Sequence, residues 1–154
     1  MFQVGDKIVY PMHGAGVVEA IEEKEILGNT QFYYITTIRN LQVMFPLGSN
    51  IGIRPIVDLE VLEHVLEVLN DGETDSNLNP TQRYRMNMNK LRSGDIYEGA
   101  QVIRDLIRIG KKRTLGTGDK AMLDNAKNIL ISELILVKDI PQELAVNIID
   151  QLTQ

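Results

Sequence analysis

The stretch "VYPMHGAGVVEAI", residues 9–21, decides how the first third of the chain is interpreted. It places His13 and two glycines, Gly14 and Gly16, between two apolar runs. One interpretation makes His13 a ligand or catalytic base and "GAG" a phosphate cradle, and the other makes them a turn between strands. A phosphate cradle uses the N–H groups at the start of a helix, whereas "GAG" enters a strand-like run. The stretch therefore favours a turn in which the glycines accommodate the backbone.

The residues around this stretch predict a small β domain over residues 1–57. Short runs rich in Val, Ile, Tyr and Phe favour strands, and the turn signals "PMHGA", "GNT" and "RN" separate them. The alternation of apolar residues breaks near the end of the second run, which predicts a bulge or bend. A sheet this small must curl to protect its edges, so we expect an antiparallel barrel. The predicted strands are 7–10, 16–26, 31–38 and 41–45.

The hydrophobic period changes from strand to helix after residue 57. Residues 58–69 have apolar residues at helical spacing, with Asp58 placed to cap the helix. The polar segment 70–80 contains Gly72 and Pro80 and predicts a linker. We therefore divide the chain into a β domain (1–57), a connecting helix and linker (58–78) and a helical domain (79–154). The predicted fold class is α+β.

Four amphipathic helices are predicted in residues 79–154. Asn79 and Pro80 begin the first helix, as cap and first residue, and Asp95 and Glu98 begin the second in capping-box spacing. The basic, glycine-containing turn 109–120 precedes a long helix, and Pro141 begins a short last one. The "GTGDK" of this turn opens a helix but does not match a phosphate-binding loop.

The composition argues against several classes of function. The chain of 154 residues has no cysteine, which excludes disulfides, thiolate metal sites and cysteine nucleophiles. Its two histidines, His13 and His64, lack partners at metal-ligand spacing, and the carboxylates lie in solvated runs such as "EEKE". We expect no metal, no cofactor and no enzymatic activity. No signal peptide or run of roughly 18 apolar residues is found, so we expect a cytoplasmic protein without a membrane partner.

Positive charge is concentrated in one segment of an acidic chain. The formal net charge is −5, yet residues 79–120 hold ten Lys or Arg against four Asp or Glu, a net +6. Such a block predicts contact with phosphates, and no base-reading motif accompanies it. Tyr84 could stack on nucleotides or serve as a packing anchor. The residues expected to bind DNA are Arg83, Arg85, Lys90, Arg104, Arg108, Lys111 and Lys120.

The sequence "VGDKIVYPMHGAGVVEAIEEKEILG" (4–28) resembles the opening of the CarD family of bacterial transcription regulators. That opening is shared with the RNA-polymerase-interacting domain of transcription-repair coupling factor. The likeness covers nearly the whole chain, in order. It continues through "VMFP", "RYRMNMNKLRSGD", "VIRDL" and "GDKAMLDNAKNILISEL".

The resemblance implies a Tudor-like N-terminal barrel that binds the polymerase β subunit. It also implies a helical domain that rests on promoter DNA beside the melted bubble and stabilises the open complex without reading a specific sequence. Lys24 occupies a position where some relatives have an arginine facing polymerase, and uncharged Met44 occupies a second one. Pairing with a polymerase strand would involve the segment around Met44. The implied polymerase-binding residues are Lys24, Ile26, Val43, Met44 and Pro46.

One position departs from the family pattern. Several relatives have a tryptophan that wedges into opened DNA where this chain has Pro80, and this chain contains no tryptophan. An inserted wedge is therefore in doubt, which leaves open a DNA contact made by charge alone. The departure also keeps an alternative open, a protein–protein adaptor on polymerase that never touches DNA. We expect a monomer, with a dimer through edge pairing or domain swapping as the other possibility.

Overall fold

The computed structural model describes residues 2–48, 52–75 and 77–154. A β region precedes a helical region, which confirms the α+β class. The strands are β1 (Lys7–Tyr10), β2 (Gly14–Ile26), β3 (Asn29–Ile38), β4 (Leu41–Pro46) and β5 (Arg54–Pro55). The helices are α1 (Leu59–Val68), α2 (Pro80–Arg92), α3 (Ile96–Lys112), α4 (Thr117–Lys138) and α5 (Gln142–Leu152).

The strands form one antiparallel sheet in the order β4-β3-β2-β1-β5. The expected bulge occurs in β2, but earlier than predicted, because the register with β3 shifts between Val18 and Ala20. The sheet is not a closed barrel: among the described strands, β4 pairs only with β3, and β5 pairs only with β1. The strand β5 was not predicted from the sequence. The core of the sheet contains Ile8, Val18, Tyr34 and Phe45.

The glycines of the opening stretch are required by close backbone approaches. A Cβ on Gly16 would clash with the carbonyl oxygen of Thr37 in β3. Gly14 has φ +122° and meets α4, where a Cβ would lie 2.8 Å from Ser132 Oγ. His13 is exposed and its ring packs edge-on against Tyr10, at 4.5 Å between centroids. His13 lies in the β1–β2 turn, as the sequence indicated, whereas Gly14 and Gly16 lie at the start of β2, opposite Tyr10 and Ile8 of β1.

The helical core includes the connecting helix α1. The buried face of α1, which includes Leu62 and Val65, packs in the same apolar cluster as residues of α3, α4 and α5. The helix therefore belongs to the helical region rather than forming a spacer between two domains. Its predicted cap is confirmed, because the Asp58 carboxylate accepts a hydrogen bond from the Val61 N–H at 2.8 Å.

The predicted start of α2 is confirmed, and that of α3 differs from the structure in one detail. In α2, Asn79 and Gln82 form a complete capping box with Pro80 at the first helical position. In α3, Asp95 caps the N–H groups of the first turn, but the Glu98 carboxylate accepts from the Ser93 hydroxyl instead of closing the box. The Asp95 N–H donates to Ser93 Oγ.

The sheet packs directly on α4. The Ala15 N–H donates to Ser132 Oγ at 2.8 Å, and Arg54 of β5 forms an ion pair with Glu133, also at 2.8 Å. Ile131 of α4 is buried as well, although the predicted apolar stripe of this helix passes through Leu130 and Leu134. The helix is therefore covered on more than one side, by other helices and by the sheet.

The described part of the linker is bound to α3. Arg104 donates to the carbonyl oxygens of Asp71 and Glu73, at 2.9 and 3.1 Å. The Thr74 hydroxyl donates to the Asp105 carboxylate at 2.7 Å. Residues 71–74 are thus attached to the helical region through both backbone and side-chain hydrogen bonds.

Candidate functional surfaces

An exposed cationic stripe runs along α2. Arg85, Asn89 and Arg92 lie at positions i, i+4 and i+7 of the helix, so they share one face. All three are exposed. Neither arginine makes a salt bridge within the part of the chain that the structure describes. The two exposed guanidinium groups can each contact a phosphate, and the side-chain amide of Asn89 between them can donate a further hydrogen bond.

The beginning of α4 meets α2 beside this stripe. Arg83 Nη2 lies 3.0 Å from Asp119 Oδ2, and a Cβ on Gly118 would lie 3.4 Å from the Tyr84 ring. Lys120, the next residue along α4, is exposed. Tyr84 therefore packs against Gly118 while 40% of its surface stays exposed. The fold therefore packs the start of α4, which includes Lys120, against α2.

Two of the arginines expected to bind DNA are instead internal. Arg83 is 8% exposed and paired with Asp119, and Arg104 is 9% exposed and paired with Asp105. A guanidinium that is buried and committed to a carboxylate presents little surface to a phosphate. The basic segment therefore contains both arginines that form internal ion pairs and cations that face solvent. The sequence did not distinguish these two groups.

Two further cations of the expected set donate hydrogen bonds to neighbouring elements. Lys90 Nζ lies 3.0 Å from the Gln101 side-chain oxygen, so it bridges α2 and α3. Arg108 Nη1 donates to the carbonyl oxygen of Gly72 at 2.7 Å. Both side chains are half-buried. Neither pairs with a carboxylate in the described residues, so both keep their charge available to an anion.

The end of α3 has a second group of exposed cations. Lys111, Lys112 and Arg113 are consecutive and exposed, and positive charge here is favoured by the C-terminal end of the helix dipole. They line a groove of about 760 Å³ that the linker backbone borders on the other side. Of these three, only Lys111 belongs to the expected DNA-binding set. Arg92, on the α2 stripe, is a further exposed cation outside that set, although its helical spacing from Arg85 could have revealed it.

Pro80, the expected wedge position, lies at the first turn of α2. It is exposed, and Tyr84 lies one turn further along the same helix. The turn that contains this proline is closed by the capping box of Asn79 and Gln82. A proline at this point fixes the start of the helix but offers no large aromatic surface to a base.

Four of the five residues expected to bind polymerase share one face of the sheet. The register places Lys24 and Ile26 of β2 on the same face as Met44 and Pro46 of β4. Val43 lies on the opposite face, because side chains alternate along the strand. The exposed side chains on the shared face include Met44, at 43%, and Ile26, at 40%. Lys24 pairs with its neighbour on the same strand, Glu22, at 3.1 Å.

The strand that contains Met44 is also an edge strand. Within the described residues, one side of β4 pairs with β3 and the other side has no strand partner. Such an edge is a template for the backbone of another chain. The far end of the β2–β3 hairpin adds exposed Phe32 and Ile21 on the opposite face. These two residues were not in the expected set, although an exposed aromatic side chain on a strand is unusual enough to be noted.

No metal centre or membrane-crossing helix is found in the described residues. Across 2–48, 52–75 and 77–154, no three His, Cys, Asp or Glu side chains come together as a metal site would need. His13 and His64 are both exposed. In the same residues, each helix is too short or too polar to cross a bilayer.

Comparison with known proteins finds two family models, one for the sheet region and one for the helical region. The family model of the CarD-like/TRCF RID domain matches residues 2–57, and that of the CarD C-terminal domain matches residues 64–150. The first match ends just before α1, and the second begins inside it. The chain therefore belongs to the CarD family, with an RNA-polymerase-interacting domain formed by the sheet and a C-terminal domain formed by the helices.

A relative of similar length supports the same conclusion. A Bacillus subtilis (strain 168) protein named "Putative transcription factor YdeB" is 49% identical over 149 residues. The match covers 93% of this chain and 96% of the relative. The aligned residues thus span both the sheet and the helices of this chain.

Proposed function

We propose that this chain regulates transcription initiation by binding two partners at once. The sheet binds the β subunit of RNA polymerase, and α2 with the start of α4 binds promoter DNA through its phosphates. The bound chain lengthens the lifetime of the open complex, in which the two DNA strands are separated. The observation that carries this proposal is the exposed cationic stripe of Arg85 and Arg92, which makes no salt bridge in the described residues, in a chain whose other region is an RNA-polymerase-interacting domain.

The polymerase contact is proposed for the face with Lys24, Ile26, Met44 and Pro46, together with the edge of β4. Apolar side chains at the centre of this face can bury surface against a partner, and Lys24 supplies a charge for orientation. The edge of β4, which has no strand partner among the residues that the structure describes, can add backbone hydrogen bonds to a polymerase strand. Val43 faces the sheet core and is proposed to support the strand rather than touch polymerase.

The DNA contact is proposed for Arg85, Arg92 and Lys120, with Lys90 as a further positive charge at the edge. Contacts of this kind neutralise phosphates without reading bases, so binding is insensitive to sequence and sensitive to salt. The net charge of −5 opposes tight binding by the chain alone. Attachment to polymerase supplies a high local concentration of DNA, which makes weak contacts effective.

Open-complex lifetime tests the DNA contact. In a reconstituted reaction, Arg85→Gln/Arg92→Gln should shorten the lifetime towards that of polymerase alone. The matched control is Lys7→Gln/Arg39→Gln, which removes the same charge from exposed positions of the sheet region and should keep the full effect. If the stripe variant prolongs the open complex as well as the wild type does, the DNA contact is rejected and an adaptor role is favoured.

A pull-down with the isolated β lobe tests the polymerase contact separately. Lys24→Glu reverses a charge on the shared face, and Met44→Glu adds a negative charge to it. Both variants should reduce capture. Glu143→Lys, at an exposed position of α5, should leave capture unchanged. Equal capture of all variants would reject this face.

We further propose that the chain works as a monomer in the cytoplasm, associated with the nucleoid through polymerase. The exposed edge of β4 allows a second copy to pair only when polymerase does not occupy it. Because such pairing depends on concentration, light scattering of the free chain should give a monomer mass at low concentration and a larger mass only when the concentration is raised.

A further inference from the structure

The groove beside the end of α3 has properties that a duplex DNA contact does not use. Its volume is about 760 Å³, within the range of about 300–1,000 Å³ typical of small-molecule sites. One wall is the end of α3, and the other is the linker backbone at residues 72–74. Because hydrogen bonds from Arg104 and Arg108 hold this backbone to α3, the two walls are fixed relative to each other.

The groove is strongly cationic. Five positive side chains line it against one carboxylate, that of Glu73. Four of the five make no salt bridge in the described residues, so their charge is not compensated locally. These four, which are Arg108, Lys111, Lys112 and Arg113, follow one another along the last turns of α3. A ligand that neutralises them must carry several negative charges close together.

Arg83 adds an unsatisfied group at the inner side of the groove. Its side chain is more than nine-tenths buried, and Nη2 is bound to Asp119. Nε has no hydrogen-bond partner in the part of the chain that the structure describes. A buried donor without an acceptor is unfavourable, and a negative charge in the groove would stabilise the Arg83 guanidinium electrostatically although Nε itself is enclosed.

We propose that this groove binds a free compound with several consecutive phosphate groups, such as a nucleoside polyphosphate or an inorganic polyphosphate chain. Guanidinium forks and ammonium groups together match the oxygens of such a chain. A DNA duplex is a wide convex rod whose phosphates meet protruding side chains. Arg83 is buried, so a duplex resting on the protruding cations would not reach it. The ligand therefore approaches as a small molecule, next to the surface proposed for DNA.

Calorimetric titration of the full chain with sodium tripolyphosphate tests the proposal. The wild type should show saturable binding of one ligand per chain, tighter than binding of orthophosphate at the same ionic strength. Lys111→Gln/Lys112→Gln should weaken tripolyphosphate binding by at least about tenfold, because two charge-assisted contacts are lost. The control Arg85→Gln/Arg92→Gln removes the same charge from the α2 stripe and should weaken it less than about twofold.

A nucleoside triphosphate arm distinguishes the sources of the phosphate chain. Binding equal to that of tripolyphosphate assigns recognition to the phosphates alone, and tighter binding assigns a contribution to the nucleoside; both agree with the proposal. Equal losses in the groove and stripe variants would instead show diffuse attraction and overturn it. So would an absence of saturation, or a groove variant that loses DNA binding but keeps tripolyphosphate binding.

These outcomes are independent of the proposed function. The stripe variant tests open-complex lifetime, and the groove variant tests ligand binding, so either proposal can fail alone. Lys111 and Lys112 are exposed, and their replacement should not disturb the fold. Thermal unfolding of both variants checks this assumption.

Discussion

Arg54 of β5 and Glu133 of α4 form a two-point ion pair between the sheet and the helices. Arg54 Nη1 lies 2.8 Å from Glu133 Oε2, and Nη2 lies 2.8 Å from Oε1. The carboxylate also accepts the Val57 N–H at 3.0 Å, and Arg54 Nε donates to the carbonyl oxygen of Gly94 at 2.8 Å. Glu133 is 1% exposed. The pair is thus surrounded by hydrogen bonds that fix one orientation of the sheet relative to the helices.

Replacing this carboxylate should destabilise the whole chain. Glu133→Gln leaves the Arg54 guanidinium facing a neutral amide, and breaking a buried pair from one side costs about 3 kcal/mol in the free energy of unfolding. Urea denaturation followed by circular dichroism measures this change. Arg54→Met/Glu133→Leu, which removes both charges, should recover much of the loss.

An exposed ion pair provides the control for Glu133. Glu63 pairs with Lys138 at 2.9 Å, but its side chain is half exposed. Glu63→Gln should change the free energy of unfolding by less than about 1 kcal/mol. If the two glutamine variants have the same stability, the Arg54–Glu133 pair does not hold the sheet and the helices together.

Two glycines should respond to alanine with opposite signs. Gly16→Ala forces a Cβ against the carbonyl oxygen of Thr37, and overpacking of this kind costs about 1–3 kcal/mol. Gly99 lies in α3, and a Cβ there meets no atom within 4 Å. Gly99→Ala should therefore stabilise the chain by about 0.5–1 kcal/mol, because alanine favours helix. Thermal or urea unfolding of both variants checks the signs, and a stable Gly16→Ala variant would contradict the close approach.

Local signals in the sequence predicted much of the fold, but contacts between distant residues did not follow from them. The caps at Asp58 and Asn79 depend on neighbouring residues, and both were predicted correctly. The short strand β5 was missed because it is defined by its pairing with β1. The Arg54–Glu133 pair joins residues 79 positions apart, so no local pattern announces it. The run "ILISELILV" in α4, apolar on all sides with one glutamate, could have indicated a helix covered on several faces.

The candidate surfaces were predictable at the level of a segment but not of individual side chains. Arg83 and Arg85 are two residues apart and look alike in the sequence, yet one is buried against Asp119 and the other is exposed. Which of them faces solvent depends on how α2 packs against α4. That packing is determined by tertiary contacts, and the number of charges in a segment does not predict them.

The two arginines should therefore separate stability from DNA binding. Arg83→Gln leaves Asp119 buried without its partner and should lower the free energy of unfolding by about 3 kcal/mol. Arg85→Gln should change stability by less than about 0.5 kcal/mol. In the polymerase complex, Arg85→Gln should nevertheless reduce DNA affinity. Urea denaturation and fluorescence anisotropy, applied to both variants, measure the two effects. A reversal of this pattern would place Arg83 rather than Arg85 at the DNA surface.

The salt dependence of DNA binding should report the number of phosphates that the stripe contacts. Each contact contributes about 0.9 to the slope of log affinity against log salt concentration. Arg85→Gln and Lys120→Gln should each lower the slope by about 1 in anisotropy titrations of the polymerase-bound chain. Affinity should fall equally for promoters of different sequence, because phosphates are the same in all of them. A loss confined to one sequence would indicate base contacts instead.

Release of the linker should be measurable without loss of the fold. Arg104 binds the carbonyl oxygens of Asp71 and Glu73, so Arg104→Ala removes both attachments and leaves Asp105 without its ion pair. Amide hydrogen exchange in residues 71–75 should become faster, because these segments open locally once their attachments are gone. Arg92→Ala, on the exposed side of α2, is the control and should leave this exchange unchanged.

The cationic groove depends on the same backbone for one wall, so Arg104→Ala should also weaken tripolyphosphate binding although Arg104 itself does not line the groove. Faster exchange with undiminished binding would show that the linker wall is not needed for the site.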